Sequence, residues 1–379
     1  MKILGIVTLV SPTGEYGGPV RVAVNQLREL ARRGHDVVLA GGARGYKSAL
    51  PDRIDGVPAR LFPARTVLPG AGFAGLTAPG LLLGMRAHAR EFDVVHVHAA
   101  RDLITLPAAR IAQRAGVRTV LQTHGMIDES SNPLAAPLDA LITRPALRDA
   151  AAVTFLTPEE QASLAVVSRD RALLVPLANG VPVPSERAET HRAEQSSADS
   201  APEVLYLARL AARKNPAMFA RVAVQLAREF PTARFRLVGP DEGEADEVTR
   251  IIDAAGLGER LQWEGPLAPE ATLDRMRSAS IYVLPSVDEP YPMSVLEAMS
   301  VGLPVVVSTS CGLAETVARA SAGTVIDAHA ESLRSAIAAL LANLDEARAA
   351  GLRGRAAVRR THSMPAVAER LEVLYGTPV

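Results

Sequence analysis

The chain has 379 residues, more than the roughly 250–300 at which a single hydrophobic core stops growing, so two domains are expected. Hydrophobic residues make up 48% and charged residues 22%, which excludes a disordered or collagen-like chain. The 41 Lys and Arg balance the 41 Asp and Glu, so the chain lacks the basic excess typical of a nucleic-acid-binding protein.

Cys311 is the only cysteine, so no disulfide can form within the chain. The short apolar run at the start is not followed by a cleavage pattern, and we expect no signal peptide there. Both observations predict a cytoplasmic protein.

In the first half, apolar strand-like runs alternate with helical patterns. Strands are predicted at 3–10, 37–40, 93–98 and 117–122, and helices at 20–33 and 103–115. This alternation indicates a doubly wound domain over residues 1–180, with a parallel sheet covered by helices on both faces. The uncharged segment 66–85 is interrupted by prolines and glycines, so we expect a mobile apolar loop rather than a membrane span.

A polar, serine-rich run predicts a linker at 181–202. The alternation then resumes with strands at 204–208, 235–238, 281–284 and 304–307, which predicts a second doubly wound domain over 203–361. The Ala- and Arg-rich tail is expected to be helical, and its last part, about 362–379, is a candidate to pack back on the first domain. Ligands of open α/β sheets bind beyond the carboxyl ends of the strands, so we expect the active site between the two domains.

The segment 284–304 is the strongest candidate site. It runs from a strand end through two prolines into a helix expected to begin near Met293. Glu289 and Glu297 lie eight residues apart, and the amides near Met293, Ser294 and Val295 could bind an anion. By spacing alone, a loop acid and a surface helix acid are the simpler interpretation.

The same segment resembles the E-x7-E signature of family 4 of the retaining, nucleotide-sugar-dependent glycosyltransferases. The resemblance covers nearly the whole chain and is carried, in order, by Tyr16-Gly17-Gly18-Pro19, 93–98, Thr123-His124-Gly125, Asn179-Gly180-Val181, Ala208-Arg209-Leu210 with Lys214-Asn215, Val238-Gly239, and 289–297. It implies the GT-B fold, an α/β architecture in which two Rossmann-like domains face each other across a cleft.

The resemblance also implies roles for individual residues. Glu289 would contact hydroxyls of the donor sugar, and Glu297 the ribose hydroxyls. Arg209 and Lys214 would hold the donor diphosphate; basic charge at a helix start opposes the helix dipole, which favours a bound anion there. The implied donor-binding set is Gly17, Gly18, Arg209, Lys214, Gly239, Leu267, Glu289, Tyr291, Pro292, Met293, Ser294, Val295 and Glu297.

Glycines 17 and 18 form an expected phosphate-approaching loop, although Gly-Gly-Pro alone is merely a tight turn. Gly239 and Leu267 would approach the nucleobase through their backbone. The usual Val-Gly-x-Gly pattern is absent at 238–241, so the identity of the base stays open. Tyr291 stands where many family members have Phe.

His124 occupies the family position of a histidine near the transferring sugar and completes the implied catalytic set with Glu289, Arg209 and Lys214. Arg21, His98 and His124 are candidate acceptor contacts. Arg21 could meet an acidic acceptor, with a surface arginine as the simpler interpretation, and the resemblance implies that His98 lies at the cleft edge without a fixed role. His96 and His98 share a strand face, but no third metal ligand at a telling spacing accompanies them.

These implications predict a retaining transferase that moves a hexose or aminosugar from a nucleoside diphosphate sugar, expected to be UDP-linked, to an acceptor hydroxyl. The sequence contains no Asp-x-Asp pair, so no metal and no other cofactor are expected. The alternatives are a sugar-nucleotide epimerase on the same scaffold and a non-catalytic sugar-nucleotide sensor.

The acceptor would contact the variable loops 66–85 and 126–145 of the first domain, and the sequence does not identify it. Residues 1–180 hold 20 Lys and Arg against 15 Asp and Glu, whereas the rest of the chain holds 21 against 26. A basic first domain beside an apolar loop is compatible with an anionic acceptor or with peripheral membrane contact. No nucleic-acid partner is expected, and the oligomeric state is left open.

Overall fold

The computed structural model describes residues 1–12, 17–130, 135–183 and 201–376. The chain divides into two units, Met1–Gly180 together with Met364–Val379, and Val181–Ser363. Most of the predicted linker, residues 184–200, lies outside the described residues, as do Tyr16 and the rest of the segment 13–16.

The first unit is built on a twisted sheet that is parallel except at one edge. Within the described residues its strand order is β10-β9-β8-β7-β1-β2-β4-β3, and only the β3/β4 pair is antiparallel. The strands of this unit, including the separate β5/β6 pair, are β1 Lys2–Val10, β2 Asp36–Ala43, β3 Arg53–Ile54, β4 Val57–Pro63, β5 Arg65–Thr66, β6 Leu76–Thr77, β7 Val94–His98, β8 Arg118–Gln122, β9 Ala152–Phe155 and β10 Leu174–Pro176.

Helices cover both faces of this sheet. They are α1 Gly17–Arg32, α2 Pro79–His88, α3 Thr105–Arg114, α4 Ala135–Leu138, a π-helical turn Asp139–Thr143, α5 Arg144–Arg148 and α6 Pro158–Ser168. Successive residues of β1 point to opposite faces, as the strand period requires. Ile3 packs with Leu27 of α1 on one face, whereas Leu4 packs with Leu106 of α3 on the other.

The expectation of a loop over 66–85 is wrong. The segment contains a 3-10 turn at Gly72–Gly75, strand β6 and most of α2. Leu81 and Met85 are buried in the core of the first unit. Prolines and glycines do interrupt the segment, but Pro79 stands in the first turn of α2, where a missing N–H costs nothing.

Helix α1 begins at Gly17, three residues before the predicted start at residue 20. Gly17 and Gly18 are therefore the first residues of the helix rather than a loop that precedes it. A Cβ added at Gly18 would meet no described atom within 4 Å, so packing within the described protein does not require a glycine there.

The second unit is also doubly wound. Its strands, all paired in parallel, are β11 Glu203–Leu207, β12 Arg234–Val238, β13 Leu261–Trp263, β14 Ile281–Leu284, β15 Val305–Ser308 and β16 Gly323–Ile326, in the order β13-β12-β11-β14-β15-β16. Its longer helices are α7 Pro216–Glu229, α8 Ala245–Ala255, α9 Thr272–Arg277, α10 Met293–Ser300, α11 Ala314–Ala320, α12 Ala330–Ala342 and α13 Leu344–Thr361.

The last helix, α14 Met364–Leu374, belongs to the first unit. Leu371 and Tyr375 pack in the same core cluster as Leu27 of α1. Arg33 and His35 both contact the carboxylate of Glu372, at 2.7 and 2.8 Å. The tail is thus an integral part of the first unit.

Among the described residues, no helix combines the length and apolar character needed to cross a membrane.

Candidate active site

Lys214 and Glu289, which the sequence places 75 residues apart, form an ion pair in the second unit. Lys214 lies in a 3-10 turn after β11, and Glu289 in the segment after β14, so both follow the carboxyl ends of adjacent parallel strands. Both residues are buried, with 7% of Lys214 and 8% of Glu289 exposed. Burial lowers the pKa of Lys214, and the hydrogen bond from its ammonium group to Glu289 opposes that shift.

The two segments that carry this pair are tied together by hydrogen bonds. The Asn215 side-chain amide donates to the carbonyl of Pro285 at 2.8 Å, and the Val287 amide donates to the carbonyl of Arg213 at 2.8 Å. Asn215 has a φ of +52°, a left-handed conformation that asparagine tolerates better than most residues. These contacts fix the distance between the cation and the carboxylate before any ligand binds.

Arg209 lies at the same end of the sheet, two residues after β11, and its positive charge lowers the pKa of Lys214. Its guanidinium group donates to Glu242 at 2.5 Å, and both side chains are more than one third exposed. An exposed pair of this kind contributes little to stability, so a phosphate could replace Glu242 at low cost. The two predicted diphosphate cations are therefore close together, each paired with a carboxylate.

Helix α10 begins at Met293, as predicted, and Glu297 is buried within it. The Tyr282 hydroxyl donates to Ser294 Oγ at 2.8 Å and also lies 3.1 Å from the Leu207 carbonyl. The Val295 amide, one of the three predicted to bind an anion, donates to the Pro292 carbonyl at 3.1 Å and is not free.

Gly239 lies where β12 ends, and its backbone comes close to that of Ala208, which follows the neighbouring strand β11. Its φ is +148°, and an added Cβ would come within 2.0 Å of the Ala208 carbonyl oxygen, so only glycine fits. Its amide donates to Gly265 and its carbonyl accepts from Trp263 Nε1, at 2.8 and 3.0 Å. Tyr291 and Leu267 are half-buried and pack against one core cluster of this unit, that of α10.

A second group of predicted residues lies in the first unit, where β7 and β8 end. His98 Nδ1 and His124 Nε2 are 2.8 Å apart with stacked rings, and His96 stacks on the other side of His98. His98 is 1% exposed, so the expected position at a cleft edge is wrong, and its ring is placed to orient His124. Burial lowers the pKa of His96 and of His124 to about 3, and that of His98 well below its usual range.

Sequence reasoning missed Glu160, which holds the turn that carries His124. Its carboxylate accepts hydrogen bonds from the Thr123 hydroxyl and the Gly125 amide, both at 2.5 Å, and from the Leu156 amide at 2.7 Å. His124 itself has a φ of +52°, which is strained for a residue with a side chain. Glu160 therefore stabilises the backbone conformation that presents the imidazole.

Arg21 is exposed on α1, close in sequence to Gly17 and Gly18. The Nδ1 atom of His96 lies 2.6 Å from the Tyr375 hydroxyl, and that of His98 lies 2.8 Å from His124 Nε2. Each of these nitrogens therefore contacts another side chain. Across residues 1–12, 17–130, 135–183 and 201–376, no three His, Cys, Asp or Glu side chains are grouped as metal ligands would be.

Acidification should destabilise the protein through His96, His98 and His124. Their pKa values in the folded state lie far below the roughly 6.5 of an unfolded chain, so the unfolded state binds more protons and stability falls below about pH 6.5. At pH 5.5 each ring should cost about 1.4 kcal/mol, and the three about 4 kcal/mol.

Urea unfolding at pH 7.5 and 5.5 measures this difference together with that of the buried His362, whose pKa burial lowers to about 4 and which should add about 1.4 kcal/mol. The carboxylate of Glu372, whose pKa the neighbouring Arg33 lowers to about 2, loses its contribution only below about pH 4.5 and does not interfere. The control is His88→Asn, at an exposed ring, which should leave the difference unchanged. Equal stability at the two pH values would contradict the neutral state of the three rings.

Two family models match the chain in succession. A glycosyl transferase 4-like domain matches residues 17–180, and glycosyl transferases group 1 matches residues 187–356. The 2-deoxystreptamine N-acetyl-D-glucosaminyltransferase of Streptomyces fradiae is 30% identical over 79% of this chain and 76% of its own length. The chain is a group 1 glycosyltransferase. It is therefore an enzyme that transfers sugars, as the family resemblance of the sequence predicted.

Further relatives agree with this glycosyltransferase assignment. A D-inositol 3-phosphate glycosyltransferase of Nocardia farcinica is 26% identical over 90% of this chain and 80% of its own. Among solved structures, Anabaena HepE in complex with UDP aligns with a TM-score of 0.73 over 100% of both chains, at 16% identity. The predicted GT-B fold, with two Rossmann-like units, is confirmed.

Proposed function

We propose that this glycosyltransferase transfers a hexose or aminosugar from a UDP-sugar to an acceptor hydroxyl, with retention at the anomeric carbon and without a metal ion. The observation that carries the proposal is the buried pair of Lys214 and Glu289, with Arg209 close by. Lys214 and Arg209 are cationic and suit a diphosphate. Glu289 is a carboxylate and suits the hydroxyls of the attached sugar.

In the proposed reaction the bond between the anomeric carbon and the diphosphate oxygen breaks, and its electron pair leaves with the diphosphate. Lys214 and Arg209 stabilise the negative charge that develops on that oxygen. The acceptor oxygen attacks the face from which the diphosphate departs, which retains the configuration. The acceptor proton passes to the departing diphosphate, so no side-chain base is required.

The other donor contacts follow from position in the second unit. Glu297 would accept hydrogen bonds from the ribose hydroxyls, and the backbone at Gly239 and Leu267 would face the base. In the first unit, Gly18 would let a phosphate approach the start of α1, since no described side chain fills that space. The neutral His124 would donate to a hydroxyl of the transferring sugar. UDP is favoured because HepE, which shares the fold, was solved with UDP.

We expect the transfer rate to stay unchanged in about 5 mM EDTA, a chelator concentration on the order of a thousandfold above that of trace metal ions. The reason is that Lys214 and Arg209 supply the positive charge that a divalent ion would otherwise provide to the leaving diphosphate. Initial rates are measured with and without the chelator, and again after addition of Mg²⁺ or Mn²⁺. A rate that collapses in EDTA and recovers with one of these ions would overturn the metal-independent mechanism.

The function is tested by incubating the full chain with UDP- and GDP-linked sugars and a panel of hydroxyl acceptors, with products detected by mass spectrometry. A glycoside whose anomeric configuration by NMR matches that of the donor supports the proposal. Inversion of configuration contradicts the retaining mechanism. An epimerised donor formed without any acceptor would instead identify an epimerase.

A further inference from the structure

A cavity of about 580 Å³ lies in the first unit, beside the turn that carries His124. Gly125, the next residue in the chain, forms part of its wall, as do Arg101 and Leu103 in the segment after β7. The cavity is thus at the carboxyl ends of β7 and β8, where open α/β sheets bind ligands. Its volume falls in the roughly 300–1,000 Å³ range of small-molecule sites.

The wall of this cavity is predominantly apolar. Among the described residues that line it, the larger side chains are Leu68, Phe73, Leu103, Met126 and Leu138, and three alanines fill the spaces between them. Arg101, Asp128 and Ser130 are the polar side chains of the described lining. Burying an apolar ligand body against such a wall contributes about 25 cal/mol for each Å² removed from water.

The positive charge at this cavity is already neutralised. The Arg101 guanidinium group donates to both carboxylate oxygens of Asp139, at 2.9 and 3.1 Å, and to Asp128 Oδ1 at 3.1 Å. Two carboxylates therefore surround one cation, and the group carries a net charge of about −1 at neutral pH. A phosphate or carboxylate on the ligand would meet no uncompensated cation among the described lining residues and would be repelled by Asp128.

We propose that this cavity binds the acceptor, and that the acceptor is an alcohol or phenol with an apolar body and no anionic group near the reacting hydroxyl. The inference rests on the proposed glycosyl transfer and names its second substrate class. The proposed acceptor class differs from the anionic compound in the name of one relative, the D-inositol 3-phosphate glycosyltransferase. The positive net charge of residues 1–180, which suggested an anionic acceptor, is not concentrated at this cavity.

The apolar surface continues outside the cavity. Val67, next to the lining residue Leu68, is 50% exposed, and Leu141, three residues after the lining residue Leu138, is 76% exposed. An apolar alcohol could therefore arrive from solution or from a lipid surface. Both sources share the same chemistry at the cavity.

Binding is tested first, with 2-naphthol as the apolar probe and 2-naphthyl phosphate as its anionic counterpart, by saturation-transfer NMR on the full chain. We expect 2-naphthol to bind at least tenfold more tightly than the phosphate. Leu68→Asp, at a half-exposed lining residue, should weaken 2-naphthol binding at least tenfold. Val67→Asp is the matched control, since the neighbouring residue is equally exposed but does not line the cavity, and should change binding less than twofold.

Ala74→Phe provides a second variant that fills the cavity without adding charge, and it should also abolish 2-naphthol binding. UDP affinity, measured in parallel, should be unchanged in all three variants. Failure of UDP to bind while 2-naphthol binds would count against the donor proposal alone. Equal or tighter binding of 2-naphthyl phosphate, or 2-naphthol binding that ignores both Leu68→Asp and Ala74→Phe, would overturn the acceptor class.

Transfer assays then separate the two sources. Product from 2-naphthol in solution supports a soluble acceptor, and product only from dodecanol in phosphatidylcholine vesicles supports a lipid-borne one. Transfer to D-inositol 3-phosphate with neither apolar alcohol accepted would contradict the proposal.

Discussion

Replacing Lys214 with Ala should lower the transfer rate by about a hundred- to a thousandfold. The ammonium group is held beside Glu289 in a buried position and would face the departing diphosphate. Removing one such charge-stabilising donor typically raises the barrier by about 3–4 kcal/mol, and each 1.4 kcal/mol is a factor of ten. Initial rates at saturating donor measure the effect, and spontaneous donor hydrolysis should fall in parallel.

The loss of Lys214 also leaves the buried carboxylate of Glu289 with Arg213, half-exposed and 3.6 Å away, as its remaining ion-pair partner among the described residues. The cost in stability should therefore be below the about 3–5 kcal/mol of a buried charge left without a partner. Melting temperature and UDP affinity must therefore be recorded beside activity. Arg221→Ala is the control, because it removes a cation of the same unit from an exposed pair with Glu247 and should leave the rate unchanged. A Lys214→Ala protein that folds and retains more than a tenth of the rate would contradict the assigned role.

Glu297→Gln should raise the donor KM by about ten- to a hundredfold with a smaller effect on kcat. A hydrogen bond to a charged group contributes about 1.5–3 kcal/mol, and the carboxylate would accept from the ribose in both the ground state and the transition state. The decisive comparison uses a 2′-deoxyribose donor. The native protein should bind it more weakly than the ribose donor, whereas Glu297→Gln should discriminate much less between the two.

Helix α11 offers the matched control for this experiment. Glu315 is exposed and pairs with Arg319 one turn later, so Glu315→Gln should leave the KM for both donors unchanged. If Glu297→Gln discriminates between ribose and 2′-deoxyribose donors as strongly as the native protein does, the carboxylate does not contact the 2′-hydroxyl.

The pattern of strands could be predicted because each buried strand of a parallel sheet is a short apolar run bounded by turn residues. The predicted strand at 281–284 coincides with β14, and the helix start at Met293 is that of α10. The segment 66–85 could not be predicted. Its helix α2 depends on burying Leu81 and Met85 in a core formed by distant parts of the chain, and local composition does not report such contacts.

The candidate site was predictable only in part, for a related reason. The family resemblance implied Glu289 and Lys214 as separate donor contacts, but their pairing depends on β11 and β14 lying side by side. Glu160, Asn215 and Tyr282 position other residues through hydrogen bonds across the fold. Nothing in the immediate sequence of Glu160 or Tyr282 distinguishes it from any other polar residue, and Asn215 stood out only as part of the motif that carries the family resemblance.

The return of α14 to the first unit has a consequence for the order of events during synthesis. The second unit is one uninterrupted stretch of chain, whereas the first consists of two stretches separated by the whole of the second. Domains fold as units while the chain emerges from the ribosome. The unit that is synthesised first is therefore completed last, when Leu371 and Tyr375 reach the core shared with Leu27.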